Sequence, residues 1–373
     1  MKRLPSLDVL RCIAIILVLV FHYSILFPHP EWLEPYGKFG WTGVDLFFVL
    51  SGYLIASQLF QQIKETEKID VTGFYVKRAF RILPIYFTIL TAYFLFPVVR
   101  EKEALPPLWK FLTFTQNLGL NPATSGTFSH AWSLCIEEQF YLVVPVVLLF
   151  LNPHKINRKI PFYLIALLGL SLVFRILMFN YKVVNQDGEV DGLAWYRLIY
   201  YPTYCRLDGI SVGMLLAWMR IYKPDFIQKW NTKPIKAALI ATAVIAFSFY
   251  ICRDQLSIFA STLGFTLVAI GYGLLVAFSL QFKPDIKNRT LAAARWLADI
   301  SYAAYLCHKI VFHLSQKLLS DNGIDETSTV VFVASITATL LVATALHLTI
   351  EKAAFKIRDR VLLRLSTSKS QWN

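Results

Sequence analysis

The first apolar segment of the chain, Leu7 to Phe27, contains two side chains that could do chemistry, Arg11 and His22. About twenty apolar residues are enough to cross a bilayer as a helix. Eleven helical residues return to within about 20° of the starting direction, so the two side chains share one face, roughly 16 Å apart. Ionisable groups inside a membrane are costly, and they ordinarily face a bundle interior or an aqueous cavity. The pair indicates intramembrane chemistry, although a lone His also fits a packing residue that bonds a neighbouring helix.

A carboxylate follows in the second apolar segment, where Asp45 lies about a turn and a half from the outer end. His22 occupies a similar depth on the first segment. A carboxylate level with an imidazole can orient it as a general base. We therefore expect Asp45 to orient His22, and the alternative is a buried ion pair that fixes helix register.

Two arginines, Arg78 and Arg81, mark the opposite edge of the membrane on the third segment. They are three residues apart and hence share a helix face. The planar guanidinium suits a clamp for a phosphorylated ligand, which Arg11 could join at a comparable depth. The alternative is that both are anchors whose charged ends reach back to the interface.

The outer ends of later segments hold a second, mixed group of polar residues. The fourth segment begins with an unusual concentration of them, which lipid-facing structure does not explain. The candidates are Trp132, Ser133, Glu137 and Glu138 here, Arg206 and Asp208 on the sixth segment, and His308 on the ninth. A basic inner group and a mixed outer group together suggest a donor held from the cytoplasm, an acceptor presented from outside, and a transfer between them.

Composition indicates a membrane protein. The chain has 373 residues, of which 56% are hydrophobic and only 16% charged, whereas a soluble domain carries about a quarter charged residues. The net charge of +13 comes from short basic clusters between apolar runs, as the positive-inside rule produces, so it needs no nucleic acid. The five cysteines are scattered and odd in number, which predicts neither a disulfide framework nor a metal site.

Runs of about twenty apolar residues predict an all-α polytopic bundle of about ten transmembrane helices. Basic residues are three times as frequent on the side that holds the N-terminus, which predicts that both termini are cytoplasmic. We expect a transmembrane domain over 1–351 and a short basic cytoplasmic tail over 352–373. The predicted spans are 7–27, 40–60, 79–97, 132–151, 161–180, 199–219, 235–252, 257–280, 296–314 and 329–350.

In these segments the sequence resembles the acyltransferase 3 family of membrane acyltransferases, which O-acylate extracytoplasmic glycans and other acceptors. The resemblance covers Leu4 to about Glu351 and rests on several motifs in order: "SLDVLRCIAIILVLVFH", "GWTGVDLFFVLSGYLI", "FYVKRAFRILPIY", "AWSLCIEEQFYL" and "SYAAYLCHKIV". One departure is "TIEKAAFK", where the family often has Pro soon after the Glu and this chain has Ala353. Many members also carry an SGNH-type hydrolase domain after the last span. This sequence ends without one, so we expect any second transfer step to need a separate partner.

The resemblance implies an acyl-coenzyme A donor, most often acetyl-CoA, and no permanently bound cofactor or metal. The phosphates of this coenzyme A would bind Arg78, Arg81 and Arg11 at the cytoplasmic opening of the bundle. His22, oriented by Asp45 or another acid such as Glu137, would take the proton from an acceptor hydroxyl as that hydroxyl attacks the thioester. Candidates for binding the oxyanion are Trp132, Ser133 and Arg206, and those for binding the acceptor are Trp132, Glu138, Arg206, Asp208 and His308. An acyl-enzyme on Ser133 or Cys135 ranks below direct transfer, because neither residue has a base at local spacing.

We expect a multi-pass protein of the bacterial cytoplasmic (inner) membrane, with an outer-face glycan or other hydroxyl acceptor as partner. The sequence does not identify the acceptor or the oligomeric state, for which a homo-oligomer is one alternative. The rival function is a secondary transporter that uses the His–Asp pair as a proton relay. Against a transporter, the sequence has no inverted repeat and no matched pair of Gly- or Pro-interrupted spans. A scaffold role leaves the two groups of polar residues unexplained.

Overall fold

A computed structural model describes residues 3–102, 104–151, 153–282 and 289–370, and this part of the chain is helical. Apart from the helices it has only an isolated antiparallel bridge between Val184 and Val190. The helices are α1 Pro5–Leu26, α2 Glu34–Gly37, α3 Thr42–Thr66, α4 Val71–Leu95, α5 Leu108–Leu112, α6 Trp132–Phe150, α7 Pro153–Met178, α8 Gly192–Trp195, α9 Asp208–Tyr222, α10 Pro224–Asn231, α11 Pro234–Ile251, α12 Phe265–Ser279, α13 Arg289–Asp321, α14 Thr329–Leu346 and α15 Lys352–Ser370. Single π-helical turns join α7, α12 and α14 to their neighbours. The predicted all-α architecture is confirmed.

Eight helical segments within the described residues are long and apolar enough to cross a membrane, so the chain is a multi-pass membrane protein. They contain α1, α3, α4, α6, α7, α11, α12 and α14. The two remaining predicted spans coincide with α9, which has only 15 residues, and with α13, which carries Asp299, His308 and Lys309. The count of about ten spans and the sides of the two termini therefore stay predictions.

Helix α3 is the central element of the bundle. Of its apolar stretch 78% is buried, against 17% for α11, because α3 packs against α1, α9 and α12 at once. Large side chains such as Phe48, Tyr53 and Phe60 are fully buried along it. Helix α1 in turn packs against α13. The first motif of the sequence is thereby placed between α3 and α13.

Glycines allow the backbones of α3 and α9 to touch. A Cβ atom on Gly52 would lie 2.3 Å from the carbonyl oxygen of Ile210, and one on Gly213 would lie 2.1 Å from that of Val49. Small residues permit this close approach of membrane helices, which is stabilised by van der Waals contact and not by the hydrophobic effect. The contact fixes the depth of α3 relative to α9.

The long segment between α4 and α6 contains little helix. Among its described residues the one α-helix is α5, five residues long, with Leu108, Trp109 and Leu112 exposed, and short 3₁₀ turns lie at Pro97–Val99 and Ser129–Ala131. The rest of the described segment folds over the bundle as turns. Tyr86 fixes it by donating a hydrogen bond of 3.0 Å to the carbonyl oxygen of Phe111.

At the other end of the chain, α15 continues from α14 through the π-helical turn His347–Glu351 and packs against α4. The residues predicted as a short tail are therefore helical up to Ser370. Arg81 of α4 lies against this helix, with its guanidinium 5.5 Å from the ring centre of Phe355.

We expect Gly213→Ala to lower the thermal unfolding temperature in detergent by several degrees, because the added methyl group must push α9 away from α3. Gly169→Ala on α7 is the matched control, since a Cβ there meets no atom within 4 Å. Both changes favour the helix by about 0.5–1 kcal/mol through lower unfolded-chain entropy. Equal unfolding temperatures for the two variants would contradict the backbone contact.

Candidate active site

A cavity of about 120 Å³ lies between α1, α3, α4, α6 and α13. One water needs about 10–15 Å³, so the cavity has room for several. Its polar lining comes from different helices: Arg11, Arg78, Arg81, Ser133, Glu137, Tyr141 and Tyr305, among others. Phe47, Phe48 and Leu134 add apolar surface. The three predicted inner arginines therefore line the same cavity as two of the predicted outer residues, Ser133 and Glu137.

Two of the three arginines make no hydrogen bond or ion pair with any residue that the structure describes. Arg11 is one of them. Arg78 is the other, and it lies over the rings of Phe74 and Tyr141 at 5.8 and 5.7 Å, with its Nε buried and without a partner. Guanidinium groups held at a cavity without a carboxylate partner are suited to bind an anion.

Arg81 differs from the other two because it forms an ion pair with Glu351, which is 1% exposed. Glu351 lies in the turn between α14 and α15, and its second oxygen is 2.7 Å from Nδ1 of His347. One cation of the cavity therefore also fastens the end of α14 to α4.

Glu137 lies on the cavity wall as an acceptor of two hydroxyl groups. Ser51 donates to it at 2.9 Å and Tyr141 at 3.1 Å. Glu138, the next residue of α6, lies outside the cavity lining, and its Oε1 has no partner among the described residues.

Ser133 and Tyr305 connect the cavity to a group of histidines. The Tyr305 hydroxyl donates to the carbonyl oxygen of His130 at 2.5 Å and lies 2.6 Å from Oγ of Ser133. Since Tyr305 has a single hydroxyl proton, Ser133 must donate to it. Neither contact gives the Ser133 hydroxyl a base that could take its proton.

His22, His130 and His308 pack together at the far side of this connection. Ring centres are 4.9 Å apart for His22 and His308, 4.7 Å for His130 and His308, and 6.1 Å for His22 and His130. Nδ1 of His22 lies 3.0 Å from the carbonyl oxygen of Val18, one turn earlier on α1. Its Nε2 makes no hydrogen bond with a described residue.

The expected pairing of Asp45 with His22 is wrong. Asp45 accepts a hydrogen bond of 2.8 Å from Arg206, and both side chains are almost fully buried. Two opposite charges in a bundle interior pair with each other because an unpaired one would be very costly. The structure has the alternative predicted from the sequence, a buried ion pair, and the backbone carbonyl of Val18 orients His22.

The predicted substrate-binding residues Arg206 and Asp208 also lie outside the cavity lining. Arg206 is enclosed by the rings of Trp132, Tyr200 and Phe265, at 5.2, 4.8 and 4.1 Å. Trp132 itself therefore packs against Arg206 and does not line the cavity.

Asp208 forms a second buried ion pair, with Arg175 of α7. Nη2 of Arg175 lies 3.1 Å from one carboxylate oxygen and 2.8 Å from the hydroxyl of Thr266 on α12. Thr266 donates to the same oxygen at 2.6 Å. The two ion pairs, together with the Thr266 hydroxyl, connect α3, α7, α9 and α12, and they leave no charge of their own for a ligand in the cavity.

Sequence reasoning missed several members of this arrangement: Ser51, Tyr141, His130 and Tyr305. Helical spacing carried a signal for two of them. Tyr141 follows Glu137 by four residues, and Tyr305 precedes His308 by three, so each shares a face with a predicted site residue. The sequence does not place His130 beside His22.

We expect Asp45→Asn to lower the free energy of unfolding by about 3 kcal/mol, because it leaves Arg206 buried without a counter-charge. The matched control is Asp359→Asn, since the Arg358–Asp359 pair is exposed and such pairs contribute less than about 1 kcal/mol. Chemical unfolding in detergent micelles measures both. Equal effects of the two variants would show that the buried pair does not stabilise the bundle.

Comparison with known proteins places this arrangement in a family. The chain is 27% identical over 339 residues to the O-acetyltransferase OatA of Staphylococcus aureus (strain NCTC 8325 / PS 47), covering 82% of this chain and 50% of the relative. It is 26% identical over 337 residues to the peptidoglycan O-acetyltransferase OatA of Listeria monocytogenes serovar 1/2a, covering 85% and 51%. A putative O-acetyltransferase of Staphylococcus aureus (strain COL) is 27% identical over 348 residues, with 87% and 53% covered. The chain thus spans about half the length of these curated relatives.

No solved structure matches the chain. The family model described as an acyltransferase domain, acyltransferase 3, matches residues 4–348, which is nearly the whole chain and includes every helix that lines the cavity. The expected resemblance is confirmed, and the chain belongs to the acyltransferase 3 family of membrane acyltransferases.

Proposed function

We propose that the protein is an O-acetyltransferase of the cytoplasmic membrane, which moves an acetyl group from acetyl-CoA to a hydroxyl of an extracytoplasmic glycan. The observation that carries the proposal is the cavity, whose lining includes Arg11 and Arg78, two arginines without an ion-pair partner among the described residues. Tyr305 also lines the cavity, and its ring centre lies 5.6 Å from that of His130 and 6.0 Å from that of His308. Two of the relatives are O-acetyltransferases and the third is a putative one, which supports an acetyl group as the group transferred.

The arginine end of the cavity binds the donor. Coenzyme A is a polyanion, and Arg11 and Arg78 supply two guanidinium groups that form no ion pair with a described residue. Arg81 adds a third that Glu351 already holds. With both termini cytoplasmic, this end of α1 and α4 faces the cytoplasm, where acyl-CoA is present. Acetyl-CoA is a substrate here, and the reaction needs no permanently bound cofactor.

His22 acts as the general base. Its Nδ1 donates to the carbonyl oxygen of Val18, which leaves the lone pair on Nε2 to accept a proton. As Nε2 takes the proton of the acceptor hydroxyl, that oxygen attacks the thioester carbonyl. The new C–O bond forms, the C–S bond breaks, and the proton passes from His22 to the departing thiolate. The products are an acetyl ester and free CoA.

Transfer is direct, without an acyl-enzyme. Ser133 lies on the cavity wall, yet its contact is the hydroxyl of Tyr305 and not a base. Cys135 is fully buried outside the cavity lining. Trp132 and Arg206 do not bind the developing oxyanion because they are enclosed outside the cavity lining, and the single hydroxyl proton of Ser133 is donated to Tyr305.

The acceptor is a glycan on the outer face of the membrane. Peptidoglycan is the acceptor named for the Listeria relative, and a glycan strand offers hydroxyls that reach the outer ends of α1 and α6. Partner proteins and a homo-oligomer are compatible with the described surface of the chain.

We expect Arg78→Ala to raise the KM for acetyl-CoA by about tenfold or more, because a charge-assisted hydrogen bond is lost, while kcat changes little. Release of free CoA, followed with acceptor present, measures both constants. Arg358→Ala is the matched control, since Arg358 pairs with Asp359 on the exposed face of α15. An unchanged KM for acetyl-CoA in Arg78→Ala would show that the cavity does not hold the donor.

His22→Ala is expected to reduce kcat for acetyl transfer by about 10²–10⁴-fold, the usual contribution of a general base, and to leave the affinity for CoA unchanged. The same CoA-release assay and a separate CoA-binding titration check the two parts. Substantial turnover by His22→Ala would remove the base from the mechanism. If the wild type binds no CoA and no acceptor elicits release, the transferase fails and the transporter alternative gains.

A further inference from the structure

His22 lies beside two further imidazoles, those of His130 and His308, and a single general base would not require them. His130 and His308 are 1% and 0% exposed, and His22 is 8% exposed. Nδ1 of His130 and Nε2 of His308 are buried without a hydrogen-bond partner among the described residues. Buried polar atoms are nearly always satisfied, so unsatisfied atoms in adjacent rings need an explanation.

Backbone carbonyls assign the tautomer of each ring, because a carbonyl oxygen only accepts hydrogen bonds. Nδ1 of His308 lies 2.7 Å from the carbonyl oxygen of Tyr305, as Nδ1 of His22 does at 3.0 Å from that of Val18. Both rings therefore carry the proton on Nδ1 and a lone pair on Nε2. Nε2 of His130 lies 3.3 Å from the carbonyl oxygen of Leu306, which puts its lone pair on Nδ1.

The described surroundings offer no donor to these three lone pairs. The nearest rings are the apolar Phe21, Phe128 and Phe312. The one nearby cation, Lys309, is 3.6 Å from Glu101 and donates to the hydroxyl of Ser129 at 2.9 Å. No group of three His, Cys, Asp or Glu side chains among the described residues has the geometry of a metal site. A hydroxyl group of a ligand would supply the missing donor.

We propose that His22, His130 and His308 form a hydroxyl-binding site for a polyhydroxylated acceptor, such as a sugar ring. His22 takes the proton of the attacking hydroxyl, and the other two rings each accept a hydrogen bond from a further hydroxyl of the same acceptor. His130 and His308 thus orient the acceptor and do not exchange protons with it. This inference rests on the proposed function, because it supplies the acceptor side of the same reaction.

Side-chain amides allow the site to be tested atom by atom. In His308→Gln the amide oxygen replaces the Nε2 lone pair, and in His130→Asn it replaces the Nδ1 lone pair. The leucine variants His308→Leu and His130→Leu remove the acceptor atoms altogether. His313→Leu is the matched control, since His313 lies on the same helix, α13, outside the cluster.

The experiment uses the full chain in lipid nanodiscs, with acetyl-CoA and a soluble peptidoglycan disaccharide. We expect each leucine variant to raise the KM for the disaccharide, and its dissociation constant measured without acetyl-CoA, by about tenfold. The KM for acetyl-CoA and CoA binding stay unchanged, which also shows that the variants fold. The amide variants recover most of the affinity, whereas His22→Gln stays inactive because an amide cannot take the proton.

Three results would overturn the hydroxyl site. They are an unchanged disaccharide KM and dissociation constant in the leucine variants, no rescue by the amide variants, and zinc or another metal at one ion per chain lost in His308→Leu. The proposed function fails separately. If disaccharide binding depends on His130 and His308 but no CoA is released, the site stands and the acyl transfer does not.

Discussion

Burying charge inside a membrane bundle is the constraint on which this structure depends. Asp45 and Arg206 pair between α3 and the start of α9, and Arg175 pairs with Asp208 between α7 and α9. Each charge is stabilised mainly by its partner, and the Thr266 hydroxyl and the carbonyl oxygen of Cys205 add hydrogen bonds to the Arg175–Asp208 pair. These pairs act together with the backbone contact of α3 and α9 at Gly213. The register of α3 is set by both, and with it the position of the α3 side chains that face the cavity.

The buried arginines of this bundle have two different roles. Arg206 and Arg175 are enclosed by aromatic rings and carboxylates, whereas Arg11 and Arg78 face a cavity without a carboxylate partner in the described chain. A buried cation that is fully paired contributes to the frame of the bundle. A cation that is unpaired beside a cavity is available to a ligand, and this difference supports assigning the donor to the arginine end.

Orientation of His22 by a backbone carbonyl suits its setting. A carboxylate beside the ring would add another buried charge, which would need a cation in turn. The carbonyl of Val18 lies one turn earlier on the same helix, so the orientation is built into α1. Carbonyls hold His130 and His308 in the same way. Three rings can therefore offer lone pairs in one place while all remain neutral.

Features that depend on local periodicity could be predicted from the sequence. Apolar run lengths gave the helices, and the three-residue spacing of Arg78 and Arg81 put both on the cavity once α4 formed. The eleven-residue spacing of Arg11 and His22 placed one at the arginine end and the other among the histidines. Run length was less informative for α9, which is short, and for α13, which carries polar residues that face the bundle interior.

Contacts between side chains of different helices follow only from the packing of the bundle. Arg206 lies 161 positions from Asp45 in the sequence, and nothing in local spacing shows that it outcompetes His22 for the carboxylate. Tyr305 reaches Ser133 and the backbone of His130 because this part of α13 lies close to the start of α6 in the fold. Helical periodicity fixes the face on which a residue lies. The partner of that face is set by the packing of whole helices, in which each buried charge and each close backbone contact must be satisfied at once.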